Sequence, residues 1–201
     1  MDDQPTKDVV FTDAVKAVQE RKGSRAHYAR WEAKGGWRVD IDDELADFIA
    51  ERDSFYLATA NAEGQPYIQH RGGPKGFLKI IGPRTLAFAD FAGNRQYITT
   101  GNLSENDKAS VFLMDYRNRR RIKVWGTAHV SEDAELIESL ADPAYDAKLE
   151  QAIVFEITGY NSNCPQHIRP RVTEDLVADE INALRERIAE LEAELAALKE
   201  K

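Results

Sequence analysis

From Ser54 onward the apolar residues recur at every second position in short runs, and nearly every run is closed by glycine, proline or asparagine. A period of two is the spacing of a strand with one face buried, and the punctuation marks turns. SFYLATA, a turn at Asn61 to Gly64 and PYIQHR make a first strand pair. FLKII and TLAFADF, joined at Gly82-Pro83, make a second. ASVFLMDY, IKVWGTAHV and AIVFEITGYNSN add three more runs. Six or seven short strands, few of them separated by full helices, predict a closed or nearly closed antiparallel barrel. Closure removes the exposed edges such a sheet would otherwise present. The expected class is α+β, mainly β with helices.

The flanks obey a different period. Thr12 or Asp13 can cap a helix whose apolar face is Ala14, Val15, Ala17 and Val18, with Gly23 ending it. HYARWEAKGGWRVD is polar and aromatic, with a turn at Gly35-Gly36, and Tyr28, Trp31 and Trp37 are suited to pack this arm on the barrel. Asp42 or Asp43 caps a second helix to about Arg52, facing Leu45, Phe48 and Ile49 inward. RQYITTGNLSEN reads as a short helix or turn, and another helical stretch lies near Ala134 to Leu140. The expected division is 1–53 as an N-terminal helical arm, 54–173 as the barrel and 174–201 as a separate helix. Residues 1–8 are expected to be frayed.

Bulk composition narrows the function classes. A hydrophobic share of 42% over 201 residues supports a sizeable core, and no apolar run approaches membrane-spanning length. One cysteine, Cys164, cannot form an internal disulfide and reads as structural, in keeping with a cytoplasmic protein. A net charge of −8 argues against a nucleic-acid surface, which is normally basic. The local exception, Arg117 to Lys123, holds five cations in seven residues and suits a phosphate-bearing cofactor or a subunit contact better than nucleic acid. No cluster of residues suggests a metal site.

The block from Tyr67 to Gly126 crowds glycine, asparagine, arginine and lysine into loops beside apolar strands. Glycine allows close backbone approach, and arginine presents a fork of donors to a phosphate. Such a sheet suits an anionic ligand with a flat apolar part. An ordinary antiparallel sheet with solvated basic turns would show much the same pattern.

The run RGGPKGFLKI, TLAFADFAGNRQ, GNLSEN and FLMDYRNRRRIKVWGTA, with the later NCPQHIRPR, resembles the pyridoxamine 5'-phosphate oxidase-like family of flavin-binding split β-barrels. The resemblance covers about residues 10 to 173. It implies a flavin mononucleotide (FMN) cofactor and a homodimer with flavin at the subunit interface. It also implies a phosphate held by an arginine, here Arg71, and by a Ser-Arg-Lys-like turn, here Asn94, Arg95 and Gln96. The turn's lysine is thus Gln96. The Tyr-Thr pair before the turn is Ala89-Asp90, which puts a carboxylate near the phosphate. A phosphate with nearly two negative charges needs at least two cations or several backbone N–H groups. Arg71, Lys75 and Arg95 can supply the cations, while Gly72, Gly73 and Gly93 give close backbone approach. Phe88, Phe91 and Trp125 are candidates for the apolar slot, or plain core. Arg121 stands where the family often has a glutamine near the isoalloxazine, so a cation there would favour reduced flavin. A cross-strand ion pair with Asp115 or Glu156 is its other reading. Gln166, His167 and Arg169 match an arginine-bearing C-terminal segment that contacts flavin or substrate in the resembling oxidases. No residue reads as an essential acid or base.

Val177, Ile181, Leu184, Ile188, Leu191, Leu195 and Leu198 repeat at spacings of four and three, the seam of a coiled coil. A single amphipathic helix laid on the barrel has the same pattern. The tail is an added oligomerisation element on the first reading. The leading functional expectation is an FMN-dependent oxidoreductase of unknown small-molecule substrate. The alternatives are a flavin- or haem-binding carrier or sensor without turnover, and a deazaflavin-using reductase.

Overall fold

The computed structural model describes residues 10–163 and 165–199, so Cys164 and the expected fraying of residues 1–8 lie outside the described residues. The chain divides into two units. One comprises the described residues up to Met114 together with Arg121 to Asn163; the other comprises Asp115–Arg120 and Pro165 to Lys199.

Unit one is built on a seven-stranded antiparallel sheet. In chain order it holds helices α1 (Asp13–Arg21), α2 (Arg25–Ala33) and α3 (Asp43–Ala50), then β1 (Ser54–Ala60), β2 (Pro66–Gly72), β3 (Lys79–Ile80) and β4 (Thr85–Phe91). Helix α4 (Ile98–Glu105), β5 (Lys108–Asp115), β6 (Arg120–Ser131), α5 (Ala134–Ser139) and β7 (Leu149–Asn163) follow. The spatial order is β2-β1-β5-β6-β7-β4-β3. That order leaves β2 at one end and the β4–β3 pair at the other, so the barrel is split between them. Seven strands and their turns agree with the period-two reading.

The strands form where they do because both sides of the alternation have something to bury against. In β1, Phe55, Leu57 and Thr59 point inward while Tyr56, Ala58 and Ala60 are half-exposed. Strand β4 is buried on both faces. Leu86 and Phe88 enter the main core with Phe55, Leu57, Phe77, Val111, Leu113, Val124, Ile153 and Phe155. Ala87 and Ala89 lie in a second cluster with Leu140 and Ala152, where Leu136 and Ile137 of α5 also pack. Small residues on that face let α5 sit close. Each fully buried aromatic contributes roughly 1.5–3 kcal/mol by removal from water.

Long β6 and β7 pair from Arg121–Asn163 to Ser131–Ala152, with a register shift between Trp125 and Gly126. A β-carbon on Gly126 would stand 2.0 Å from the Glu156 carbonyl oxygen, so the shift requires glycine.

The N-terminal helices differ in part from expectation. Thr12 caps α1 by accepting from Val15 N–H, as read, and Asp42 caps α3 by accepting from Leu45 N–H at 2.9 Å. Leu45, Phe48 and Ile49 are buried. In α1, however, Val15 and Val18 are exposed and Gln19 is buried. The helix is held instead by a polar link, Arg25 donating to Gln19 Oε1 at 2.6 Å and pairing with Glu32. The arm read only as polar and aromatic contains a full helix, α2. Around it Phe11, Tyr28, Trp31 and Trp37 form edge-on and tilted ring contacts, and Trp37 reaches Trp125 of β6 at 5.0 Å. This places the arm on the barrel through aromatic rather than aliphatic contacts.

Unit two holds a 26-residue helix, α6 (Glu174–Lys199), and the loop between β5 and β6. Within it Arg171 lies 4.6 Å over the Tyr116 ring, and Asp115 accepts from Asn118 N–H and Nδ2. Among the described residues no helix is long and apolar enough to cross a membrane.

Candidate functional site

A cleft of about 250 Å³ opens beside the split of the barrel, lined by β2, the end of β4, the 93–97 loop, the start of α4 and Glu150 of β7. On β2 the side chains of Tyr67, Gln69 and Arg71 alternate onto this side. Asp90 and Phe91 close the opposite side. Gly93, Asn94, Arg95, Gln96 and Tyr97 form the rim, and Ile98, Thr99 and Thr100 bring the first turn of α4.

The floor of the cleft is a chain of side-chain contacts. Arg71 donates from Nη1 to Asp90 Oδ1, and both side chains are nearly buried, at 12% and 11% exposure. The second oxygen of Asp90 accepts from Gln151 Nε2 at 2.8 Å, and the same amide also donates to Thr100 Oγ1 at 2.9 Å. Thr99 Oγ1 donates to Gln69 Oε1 at 2.9 Å. Asn102 Nδ2 donates to Thr59 Oγ1 at 3.0 Å, anchoring α4 on β1 in a buried contact. The position of α4 is therefore set from both ends of the split.

The rim is held by local turns. Asn94 Oδ1 accepts from Gln96 N–H at 3.2 Å, while Arg95 and Tyr97 both take left-handed backbone, φ 58° and 51°. Tyr97 is the N-cap of α4 yet supplies no side-chain cap among the described residues. Its hydroxyl instead donates to Glu150 Oε1 at 2.6 Å, and that bond holds the phenol above its ordinary pKa.

Two observations bear on what could lie here. Nε of Arg71 is buried and has no hydrogen-bond partner among the described residues. The first turn of α4 lines the same cleft, and the first N–H groups of a helix have no partner within it. An unpartnered buried donor, a second arginine at the rim and a helix N-terminus fit an oxyanion such as a phosphate. The lining also contains two carboxylates, Asp90 and Glu150, against the two arginines. Bulk attraction is thus weak, and directed donors would have to hold the anion. Asp90 uses one oxygen on Arg71 and the other on Gln151, so both of its acceptor atoms are engaged with donors.

The structure brings Arg71, Asp90, Asn94, Arg95 and Gln96 together around this one cleft. Lys75 is not among its lining residues; it pairs with Glu51 at 2.6 Å on the exposed surface. Gly73 likewise lies outside it. A β-carbon there would meet the Phe77 ring at 2.7 Å, and its N–H donates to the Asp53 carbonyl at 2.9 Å. Arg121 sits half-buried on β6 opposite Asn163, and the partial burial of Lys123, with Arg121 nearby, lowers the Lys123 pKa. Glu156, one candidate partner of Arg121, accepts from Thr85 Oγ1 at 2.8 Å. Gln166, His167 and Arg169 belong to unit two, where all three are exposed and His167 has φ 63°. Of the three aromatics, Phe91 lines the cleft, Phe88 is core, and Trp125 packs on Trp37 with Lys123 over its ring.

Sequence reading overlooked Tyr67, Gln69, Thr99, Thr100, Glu150 and Gln151. For Tyr67 and Gln69 a signal exists, because they share the face of Arg71 at a spacing of two. Gln151 enters through the register that sets it opposite Asp90, which no local pattern announces.

The architecture defines a split β-barrel with a donor-rich cleft at its seam. A family model described as "Pyridoxamine 5'-phosphate oxidase" matches residues 41–181, and the chain belongs to this family. No curated protein matches the sequence. Among solved structures, HupZ of Group A Streptococcus is 17% identical, with 66% of this chain and 99% of that chain covered and a TM-score of 0.51. A protein related to general stress protein 26 from Clostridium acetobutylicum is 18% identical over 64% and 93%, with a TM-score of 0.48. An FMN-binding protein from Syntrophomonas wolfei is 20% identical over 58% and 81%, with a TM-score of 0.45.

Proposed function

We propose that the chain is a cytoplasmic FMN-dependent oxidoreductase acting on a small-molecule substrate as a homodimer, with flavin at the subunit interface. The observation that carries this reading is the buried, unpartnered Nε of Arg71 in a cleft shared with Arg95 and the first turn of α4. Membership of the pyridoxamine 5'-phosphate oxidase family supports it.

In this reading Arg71 and Arg95 hold the cofactor phosphate, with Asn94 and Gln96 shaping the rim. Asp90 and Gln151 hold the Arg71 guanidinium in place before the ligand arrives. Flavin, once bound, supplies the hydride chemistry. Arg121 acts at the ring as a cation favouring the reduced form. Gly73 and Lys75 support the β2 end of the site rather than touching the phosphate.

The test is an absorption spectrum of the purified protein, an FMN titration, and anaerobic addition of NADH and NADPH. Paired flavin bands that bleach on reductant are expected. Arg95→Ala should weaken FMN binding by about 10- to 100-fold, the value of one charge-assisted hydrogen bond. A protein that refuses FMN, or an Arg95→Ala variant with unchanged affinity, would overturn the site. Haem bands in place of flavin, or flavin that no reductant bleaches, would favour the carrier reading.

A further inference from the structure

The seam of α6 is unpartnered among the described residues. Val177, Ile181, Leu184, Ile188, Leu191, Leu195 and Leu198 are each between 39% and 69% exposed. A helix of 26 residues is about 39 Å long, and in proteins most helical stability comes from packing an apolar face, which here stands exposed.

We infer that α6 is covered by α6 of a second copy, in a parallel two-stranded coiled coil. Two features of this chain select that occupant. The first is the charge pattern beside the seam. With Ile181 at heptad position a, the g and e' positions of parallel copies couple Glu180 to Arg185, Arg187 to Glu192 and Glu194 to Lys199. All three couplings are opposite in sign, and each occurs twice by symmetry. An unrelated apolar surface would give no reason for this alternation at the seam's edges. The second is the shape of the seam. Branched Ile181 and Ile188 occupy a with Leu195, while Leu184, Leu191 and Leu198 occupy d with Val177; among parallel coils, branched residues at a with Leu at d favour two strands. The charges alone would also tolerate an antiparallel pair, since Arg185 can meet Glu192 and Arg187 can meet Glu194 in that orientation. The parallel orientation also engages Glu180 and Lys199, which those antiparallel contacts leave out, and this selects the parallel one. The in-chain pair of Arg187 with Glu190 at 2.7 Å is exposed and weak, so it does not hold Arg187 back from Glu192 of the second copy. This pairing does not depend on the cofactor assignment.

The test is disulfide trapping in the full-length chain with Cys164→Ser, under oxidised and reduced glutathione. Leu198→Cys places a thiol at a d position near the far end of the seam. In a parallel pair it meets its own copy, and a disulfide-linked dimer is expected as the main species. Ala193→Cys, at the outward f position, should form little of it. Adding Leu184→Glu and Leu191→Glu should abolish the Leu198→Cys dimer while far-ultraviolet circular dichroism still reports the barrel. A cross-link from Ile181→Cys with Leu198→Cys, but none from Leu198→Cys alone, would mean an antiparallel pair and overturn the orientation. No interchain cross-link in any variant would overturn self-pairing and leave the chain's own surface or another protein as the cover.

Discussion

Arg71 and Asp90 are ion-paired across the split of the barrel, from the end of β2 to the end of β4, where no backbone ladder joins the two strands among the described residues. The pair therefore does what hydrogen-bonded strands would do in a closed barrel, and it does so at the wall of the candidate site. Its burial raises the stakes. A buried charge left without its partner costs far more than the pair itself contributes.

Asp90→Ala should therefore destabilise the protein by about 3 kcal/mol, by leaving the Arg71 cation buried and unpaired. Urea denaturation would read this as a lower midpoint at unchanged slope. Glu51→Ala, which breaks the exposed Lys75 pair, should stay within about 0.5 kcal/mol. Equal effects from the two variants would show that the seam pair contributes nothing special.

How much was legible in the sequence follows from the range of each signal. The strands were readable because period two, glycine turns and one buried face all act within a few residues, as in Phe55, Leu57 and Thr59. The Asp42 cap was readable for the same reason. Helix α2 was not, because its apolar positions Tyr28 and Trp31 join a cluster completed by Phe11 and Trp37 rather than forming a stripe. Val15 and Val18 looked inward because helical periodicity cannot say which face the fold covers. The Arg71, Asp90 and Gln151 network spans three strands, and its assembly depends on sheet order, which a single sequence does not display.

The cap of α3 makes a pH-dependent prediction. Asp42 accepts the Leu45 N–H, and this bond holds its carboxyl below the ordinary carboxylate range, helped by Arg38. A carboxylate depressed by folding contributes stability above its unfolded pKa of about 3.9, and that contribution is lost as pH falls through the folded value. Asp42→Ala should cost about 1 kcal/mol at pH 7. The difference between the two proteins should shrink toward zero as pH falls below about 3.9. A gap that persists at low pH would assign the effect to helix propensity or packing instead of the ionised cap.

The anchoring of α4 can be tested apart from the cleft. Asn102 and Thr59 bond each other in a buried setting, so Asn102→Ala removes one partner and strands the other. About 2 kcal/mol should be lost, and FMN affinity should fall with it, because the first turn of α4 loses its fixed position. Pairing Asn102→Leu with Thr59→Val replaces both polar groups by apolar ones of similar size. That double variant should recover most of the stability. Failure to recover would show that the loss does not come from the orphaned hydroxyl, because the double variant leaves neither an unpaired polar group nor a cavity.

Two glycines should respond to alanine with opposite signs. At Gly126 the new methyl would lie 2.0 Å from the Glu156 carbonyl oxygen and 2.7 Å from the Phe155 ring, both on the paired strand β7. Neither can retreat, since Phe155 is core and Glu156 stands in the β4–β7 ladder. Gly126→Ala should cost about 3 kcal/mol or more through overpacking and loss of the register shift. Gly101 lies inside α4, and a methyl there would have nothing within 4 Å. At that position alanine lowers the entropy of the unfolded chain without a clash, so Gly101→Ala should raise stability by up to about 1 kcal/mol. Thermal unfolding of the two variants beside the parent protein measures both. A tolerated Gly126→Ala would mean that β6 and β7 can slide past the bulge, and with it that the register placing Arg121 opposite Asn163 is adjustable.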